Sequence, residues 1–199
     1  MGTSIAYNLK RRGMDKVMLL EKRFIGSGAT GRSAGVVRQH YSTEFMVRMA
    51  TKGLKTIRNF QQELGADSGY RRTGLIVAVG EEGISGLKDT VAMQRALGVD
   101  TKALSPSELG QIQPELHTDD LAGGAFEPDA GYADPSLTTT GYAKAAEALG
   151  VEILQKTEVV DIQLHEHSVA AVKTNSGEEI LTPVIVNATN AWANRINKM

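Results

Sequence analysis

Cysteine is absent from the 199-residue chain, and aromatic residues make up only 5% of it. Without cysteine there is no disulfide framework, no catalytic thiolate and no thiolate-bound zinc or iron–sulfur site. The formal net charge of −1 lacks the basic footprint of a nucleic-acid-binding protein. No apolar run approaches the ~20 residues of a membrane span, and the first residues lack the pattern of a signal peptide. We therefore expect a cytoplasmic globular protein.

Glycine, by contrast, is abundant, with 21 residues, four of which fall within residues 26–35. So many glycines predict a loop whose backbone lies close to a ligand. Gly26, Gly31 and Ser33 also match part of the phosphate loop of nucleoside triphosphatases. However, Arg32 stands where that motif requires lysine as a compact charge between phosphates. We therefore favour a general anion-binding loop over a triphosphatase site.

Apolar periodicity predicts an alternation of helices and strands. Ser105 to Glu108 has the pattern of a helix N-terminus, with a Ser cap, proline and then glutamate. The arrangement at both ends of the chain favours an α/β nucleotide-binding domain interrupted by an insertion. Helices are predicted in residues 3–12, 44–64, 87–97 and 135–149, and strands in residues 17–20, 75–79, 151–154, 157–164, 169–174, 179–181 and 184–188.

Gly2 opens the first helix, and Glu21 ends the next strand. In a dinucleotide-binding βαβ unit, the last glycine of Gly-x-Gly-x-x-Gly receives the pyrophosphate at a helix N-terminus. An acidic residue about 20 positions later binds the ribose. Gly2 and Glu21 fit these two positions, whereas the first strand and the first two glycines are missing from the sequence. The alternative is an ordinary capped helix and a solvated glutamate.

Together these segments resemble the FAD-dependent amine oxidoreductases of the glycine/sarcosine oxidase and D-amino-acid oxidase family, nearest to sarcosine oxidase β subunits. The longest matching motif is Ser-Gly-Ala-Thr-Gly-Arg-Ser-Ala-Gly in residues 27–35, and the resemblance extends over nearly the whole chain. It implies an FAD-binding Rossmann-like, two-dinucleotide-fold domain with an inserted, partial α+β substrate domain. The other matching segments are residues 2–9, 17–22, 71–76, 130–135, 151–153, 157–160 and 186–193.

The resemblance also implies roles for individual residues. Gly2 would receive the FAD pyrophosphate, and Glu21 would bind the adenosine ribose with Lys22 beside it. Arg38 would hold the substrate carboxylate, and its alternative is an ordinary surface arginine. Asn190 stands where the family usually has glycine, which places a side chain near the flavin edge. The remaining implied cofactor residues are Ala29, Thr30, Arg32, Ser33, Ala34, Gly35, Val159 and Ala188.

By this resemblance, residues 1–69 and 135–199 form the FAD-binding domain, and residues 70–134 form part of a substrate domain. The implied reaction is oxidation of a small amino acid or N-methyl amino acid, of the sarcosine, glycine or proline type, by hydride transfer to flavin N5. Partner subunits of a hetero-oligomer are implied as well. No metal site is expected, because His165 and His167 lack a third ligand.

Two other hypotheses stay open. The chain looks truncated at both ends, so it is alternatively an incomplete, non-catalytic fragment or a structural module of a multi-subunit flavoenzyme. On that hypothesis, the isolated 199-residue chain binds FAD weakly or not at all. A third hypothesis is an NAD-dependent enzyme that uses the same ribose-binding acid.

Overall fold

A computed structural model describes all residues, Met1–Met199, and the chain folds as two compact units. Strands and helices alternate in both, as predicted for an α/β protein. The first unit comprises Met1–Ser33, Leu64–Ala66 and Pro135–Met199, and the second unit comprises Ala34–Glu63 and Asp67–Asp134.

The elements are numbered separately for helices and strands. The helices are α1 (Gly2–Arg11), α2 (Glu44–Arg58), α3 (Phe60–Leu64), α4 (Ile84–Ala96), α5 (Pro106–Ile112), α6 (Pro135–Ala148) and α7 (Ala193–Ile196). The strands are β1 (Met18–Glu21), β2 (Val36–Val37), β3 (Arg71–Arg72), β4 (Leu75–Val79), β5 (Lys102–Leu104), β6 (Gly123–Glu127), β7 (Gly131–Tyr132), β8 (Glu152–Gln155), β9 (Val159–His165), β10 (Ser168–Thr174) and β11 (Glu179–Leu181).

In the first unit, β1 and β8 pair in parallel, with Met18 opposite Glu152. Helices α1 and α6 pack together over a core of Ala6, Tyr7, Ala146 and Val151. The small alanine side chains at this interface allow the two helices to approach closely. Strands β9, β10 and β11 form a separate antiparallel sheet in the same unit. The first unit therefore contains a parallel strand pair, as an α/β nucleotide-binding domain requires.

In the second unit, β6 lies between β4 and β5 in an antiparallel sheet. Helix α4 covers this sheet by packing Leu87 and Val91 against Ala125. The predicted N-cap of α5 is a complete capping box: the Ser105 hydroxyl accepts the Glu108 amide, and the Glu108 carboxylate accepts the Ser105 amide. Short strands β2 and β3 both pair with β7.

Two predicted elements differ from the structure. The helix expected over residues 44–64 is broken at Asn59 into α2 and α3, because Asn59 has the non-helical dihedrals φ −99° and ψ 18°. The prediction of a buried strand over residues 184–188 was wrong, because no other strand pairs with this segment and Val184 and Val186 are exposed. Their alternating apolar side chains satisfy the strand pattern, but the pattern does not supply a hydrogen-bonding neighbour.

Residues 34–63 lie in the second compact unit. The sequence-based division places these residues in the FAD-binding domain and stays a prediction.

No helix is long and apolar enough to cross a bilayer. No group of three or more His, Asp or Glu side chains is clustered closely enough to hold a metal ion. His165 and His167 flank the exposed β9–β10 turn.

Candidate functional site

The N-terminus of α1 is the first part of the candidate site, and it lies in the first unit. Its N-cap is Met1, no side chain caps it, and no acidic residue lies in its first turn. A Cβ at Gly2 would lie 3.6 Å from Leu19 Cδ1 and 3.8 Å from Ala188 Cβ, so the helix begins against β1 and residue 188. The uncapped amides and the helix dipole favour an anion at this end.

Glu21 is the last residue of β1 and is half-buried. Its Oε1 atom accepts a hydrogen bond from the Arg23 amide at 2.8 Å and a longer one from Ser27 Oγ at 3.4 Å. These bonds fix the carboxylate at the end of the strand. Its other oxygen has no partner within the protein. The carboxylate is therefore held in place while keeping an acceptor for a ligand hydroxyl.

The glycine-rich loop turns sharply at Gly31, whose amide donates to the Gly26 carbonyl at 2.9 Å. A Cβ at Gly31 would lie 2.6 Å from that carbonyl oxygen, so glycine is required by close approach at this position. Ala29 caps a 3₁₀ turn over Thr30–Arg32. The Arg32 side chain is exposed and makes no ion pair. The loop thus presents a backbone turn with one unpaired cation.

Lys22 is bound to Glu158, a residue for which sequence analysis proposed no role. Lys22 Nζ lies 2.7 Å from Glu158 Oε1, and Arg195 Nη2 approaches the same oxygen at 3.3 Å. The hydrogen bond from Lys22, followed by the charges of Lys22 and Arg195, holds the pKa of Glu158 below its ordinary value. The only available sequence signal was the position of Glu158 immediately before Val159 in a matching motif.

Val159 begins β9, and its neighbour Glu158 donates its amide to Asn175 Oδ1 at 2.9 Å. Ala188 lies on the irregular segment that reaches Gly2. Asn190 has a φ of +52°, a left-handed conformation that explains how it occupies a position usually given to glycine. Trp192, which lies in a matching segment but has no predicted role, packs beside the glycine-rich loop: its ring would lie 3.6 Å from a Cβ at Gly28.

The second unit contains Ala34, Gly35 and Arg38. Gly35 has a φ of +67°, and its carbonyl accepts the Ala133 amide at 2.9 Å. Arg38 follows β2 and is exposed; its guanidinium lies 5.1 Å from the centroid of the Tyr41 ring and forms no ion pair with a carboxylate. An arginine stacked on a ring yet free of an acidic partner keeps its donors for an incoming carboxylate.

A buried polar cluster adjoins Arg38 in the second unit. Glu127 is 1% exposed, and its Oε1 accepts the Gln39 amide at 2.6 Å. Burial raises the pKa of Glu127, opposed by the backbone amides of Gln39 and His40 and by the charge of Arg38. Burial and then Arg38 lower the pKa of His40. No local sequence pattern marks Glu127, because its partner Gln39 is far away in the chain.

A cleft of about 360 Å³ also lies in the second unit. Its walls include Gln39 and the ion pair between Arg58 and Asp129, in which Arg58 Nη1 lies 3.1 Å from Asp129 Oδ2. None of the sequence-predicted cofactor residues lines this cleft. It is therefore distinct from the predicted cofactor-binding segments.

The family described as "FAD dependent oxidoreductase" matches residues 1–199. The chain therefore belongs to the FAD-dependent oxidoreductase family, and the predicted resemblance, fold class and FAD cofactor are confirmed. It is 30% identical to mitochondrial sarcosine dehydrogenase of Homo sapiens, over 100% of this chain and 22% of that protein. It is 29% identical to the mitochondrial pyruvate dehydrogenase phosphatase regulatory subunit of Mus musculus, over 97% of this chain and 22% of that protein.

Among solved structures, L-proline dehydrogenase from P. horikoshii superposes with a TM-score of 0.90 and 35% identity. The match covers 99% of this chain and 52% of that chain. This chain thus spans about a fifth of the two curated relatives, at 22% of each.

The residues of the first unit fit an FAD molecule on three structural grounds. The first turn of α1 has no side-chain cap, the Glu21 carboxylate retains a free oxygen, and Gly31 makes a turn that a Cβ would obstruct. These features suit a pyrophosphate and a ribose hydroxyl, respectively, together with a close backbone approach. The chemistry of the donor set therefore agrees with the family assignment.

Proposed function

We propose that this chain provides the FAD-binding part of an oxidoreductase that acts on a small amino acid or N-methyl amino acid. The observation that carries the proposal is the uncapped start of α1 packed against β1, the strand that ends in Glu21. Membership of the FAD-dependent oxidoreductase family supports the same cofactor. Sarcosine and L-proline dehydrogenases among its relatives support the substrate class.

In this proposal, the amides at the start of α1 bind the pyrophosphate near Gly2, and Glu21 accepts hydrogen bonds from the ribose hydroxyls. Lys22 adds positive charge nearby and is oriented by Glu158. The backbone of Val159 contacts the adenine, and Ala188 borders the cofactor. Further proposed cofactor contacts are Ala29, Thr30, Arg32, Ser33, Ala34 and Gly35.

Arg38 is the proposed binding group for the substrate carboxylate. A planar guanidinium binds both carboxylate oxygens, and this bidentate contact fixes the direction of the substrate α-carbon. Stacking on Tyr41 limits the rotation of the guanidinium. FAD, when bound, serves as a hydride acceptor. The chain's own contribution is to bind and orient the two partners.

The proposed domain division assigns residues 1–69 and 135–199 to cofactor binding and residues 70–134 to part of the substrate domain. The continuous motif in residues 27–35 supports extending the cofactor domain beyond Ser33. Partner subunits are also proposed, supported by the relative that is named a regulatory subunit.

The first experiment measures flavin content and flavin reduction in the purified full-length protein. We expect bound flavin, and bleaching of its oxidised absorption under anaerobic conditions by sarcosine, glycine or L-proline. The variant Glu21→Gln should lower the flavin content, because the amide accepts ribose hydroxyls less strongly than a carboxylate does. Glu152→Gln, at an exposed position of β8, is the matched control and should retain the flavin. Bound flavin that no amino acid reduces would contradict the proposed activity.

Arg38 is tested separately from the cofactor. Arg38→Lys keeps the charge but loses the planar fork, so KM should rise by about tenfold or more, the equivalent of a lost charged hydrogen bond. Flavin content should stay unchanged. Arg48→Lys, on the exposed face of α2, is the control. An unchanged KM in Arg38→Lys would remove Arg38 from the substrate site.

A second candidate is a non-catalytic module of a multi-subunit flavoprotein. The observation that favours it is the 29% identity to a protein named as a regulatory subunit. This candidate predicts that no amino acid bleaches the flavin, while the protein co-purifies with a stable partner. The anaerobic reduction experiment therefore separates the two candidates directly.

A further inference from the structure

The segment that carries Arg38 has little regular structure of its own. Strand β2 ends at Val37, and α2 does not begin until Glu44. Residues 38–43 are instead held by buried side chains from other elements. Glu127 of β6 accepts the Gln39 amide at 2.6 Å, and Gln94 of α4 donates to the Tyr41 carbonyl at 3.1 Å.

Both holding side chains are almost completely enclosed: Gln94 is 0% exposed and Glu127 is 1% exposed. Burying a carboxylate is costly unless it is well hydrogen-bonded. The second oxygen of Glu127 has no partner at all, and neither does the Gln94 carbonyl oxygen. Burying a carboxylate with one unpaired oxygen lowers the stability of the fold, so a purely structural role does not account for Glu127. Its other oxygen contacts the backbone amide directly beside Arg38.

We infer that Glu127 is a positioning residue for substrate binding: its carboxylate fixes the backbone at Gln39 and thereby sets the direction of the adjacent Arg38 guanidinium. The inference rests on the proposed role of Arg38 in binding a carboxylate. Glu127 does not touch the substrate itself. It acts through the Gln39 amide, which directly follows Arg38 in the chain.

The hydrogen bond from the Gln39 amide to the Glu127 carboxylate, called the anchor below, depends on pH. Burial raises the pKa of Glu127, and so does the negative charge of Asp129, whereas the amides of Gln39 and His40 and the charge of Arg38 oppose the rise. Tyr70 also lies within the electrostatic range of Glu127. An ionised carboxylate accepts amide hydrogen bonds more strongly than a carboxylic acid does. The anchor is therefore complete above the raised pKa of Glu127 and weakens as the pH falls through it.

His40 requires its own control. Its pKa is lowered from 6.5 by burial and by Arg38, whereas the pKa of Glu127 is raised from 4.5, so the two shifts bring the titrations closer together. The variant His40→Gln removes this titration while retaining the backbone amide. A pH effect that survives in His40→Gln but disappears in Glu127→Gln belongs to Glu127.

The anchor is measured without reference to catalysis by ¹⁵N NMR of the Gln39 amide. In the wild type and in His40→Gln, the Gln39 amide proton should shift upfield as the pH falls, with a midpoint above the ordinary glutamate value of 4.5. In Glu127→Gln the amide should remain protected from exchange but stop titrating. Glu81→Gln, at an exposed position, should titrate like the wild type. A titration that persists in Glu127→Gln would overturn the inference.

The effect on the substrate is measured with the flavin-loaded protein. Glu127→Leu should raise KM about tenfold, the equivalent of losing a hydrogen bond to a charged group, with kcat and flavin content unchanged. In Glu127→Gln, KM at neutral pH should equal that of the wild type, because the amide oxygen still accepts the Gln39 hydrogen bond. The wild-type KM should rise at acidic pH as Glu127 is protonated, and this rise should be absent in Glu127→Gln, whose amide does not titrate. An unchanged KM in a folded Glu127→Leu protein would overturn the inference. If no amino acid reduces the flavin, the proposed function fails, and the NMR titration still decides whether Glu127 anchors the segment.

Discussion

The charge of Lys22 is directed away from its sequence neighbour Glu21. Its ammonium binds Glu158 at 2.7 Å, and Arg195 approaches the same oxygen. Lys22 and Arg195 are exposed while Glu158 is half-buried, and ion pairs with exposed partners contribute little to stability. The ion pair matters instead because it holds the Lys22 ammonium away from Glu21. The Glu21 carboxylate therefore forms no ion pair with Lys22 and keeps its acceptor for a sugar hydroxyl.

Gly31 gives the clearest single-residue prediction. In Gly31→Ala the new Cβ would lie 2.6 Å from the Gly26 carbonyl, so the turn must open. Overpacking of this kind costs about 1–3 kcal/mol. We expect a lower unfolding free energy in urea and a weaker affinity for FAD.

The control is Gly28→Ala in the same loop. A Cβ there would lie 3.6 Å from the Trp192 ring, which is an ordinary contact distance. The backbone of Gly28 also lies outside the left-handed region. If Gly31→Ala unfolds at the same urea concentration as Gly28→Ala, the close approach at Gly31 is not a constraint.

Residues differ in how far the sequence predicts them. The positions of Gly2 at a helix start and of Glu21 at a strand end were predictable, because their spacing is that of the helix and second strand of a βαβ unit. Glu127 was not predictable. Its partner Gln39 is 88 positions away, so no local pattern connects them, and an isolated glutamate in sequence suggests a solvated side chain.

At the scale of elements, α5 shows how local sequence and tertiary packing agree. Its capping box closes the first turn, while Leu109, which is 0% exposed, anchors the helix in the second unit. A helix of this length is marginal by itself in water. The cap and the buried leucine together explain why it forms.

Ser105→Ala removes the acceptor of the Glu108 amide and should destabilise the second unit by about 1 kcal/mol. Urea unfolding followed by circular dichroism measures the change. Ser107→Ala, two positions along the same helix and exposed, should be nearly neutral. Equal effects of the two substitutions would show that the cap does not contribute.

The two incorrectly predicted elements have different causes. In residues 44–64 the apolar spacing continues through Asn59, so hydrophobic periodicity alone cannot locate the break that its dihedral angles impose. In residues 184–188 the local pattern favours a strand, but strand formation depends on a neighbour from elsewhere in the fold. By contrast, the β10–β11 turn was predictable because Gly177 supplies the required positive φ of 86°.

At the scale of the whole molecule, each compact unit has a hydrophobic cluster of its own. The cluster in the first unit joins α1 and α6 through Ala6, Tyr7 and Ala146, and the cluster in the second unit joins α4 to β6. The alternation of helices and strands was enough to predict this α/β class. The allocation of residues 34–63 depends on long-range contacts that periodicity does not report.

Ala146 tests the packing of the first unit. It is 0% exposed at the interface of α1 and α6, so Ala146→Leu should overpack the core and cost about 1–3 kcal/mol. Ala148→Leu is the control on the same helix, because residue 148 is exposed. We expect a lower urea midpoint for Ala146→Leu only. A wild-type midpoint in that variant would show that the interface has room for a larger side chain.

The way in which Glu127 and Gln94 hold residues 38–43 has an evolutionary consequence. The conformation of this segment is encoded largely outside it, by side chains on β6 and α4 that bind main-chain atoms. Neither contact involves the exposed side chains of Ser42 and Thr43, so substitutions there other than proline should leave both contacts intact. On the proposed role of Glu127, we therefore expect residues 42 and 43 to tolerate substitution in related chains without a change in the direction of Arg38.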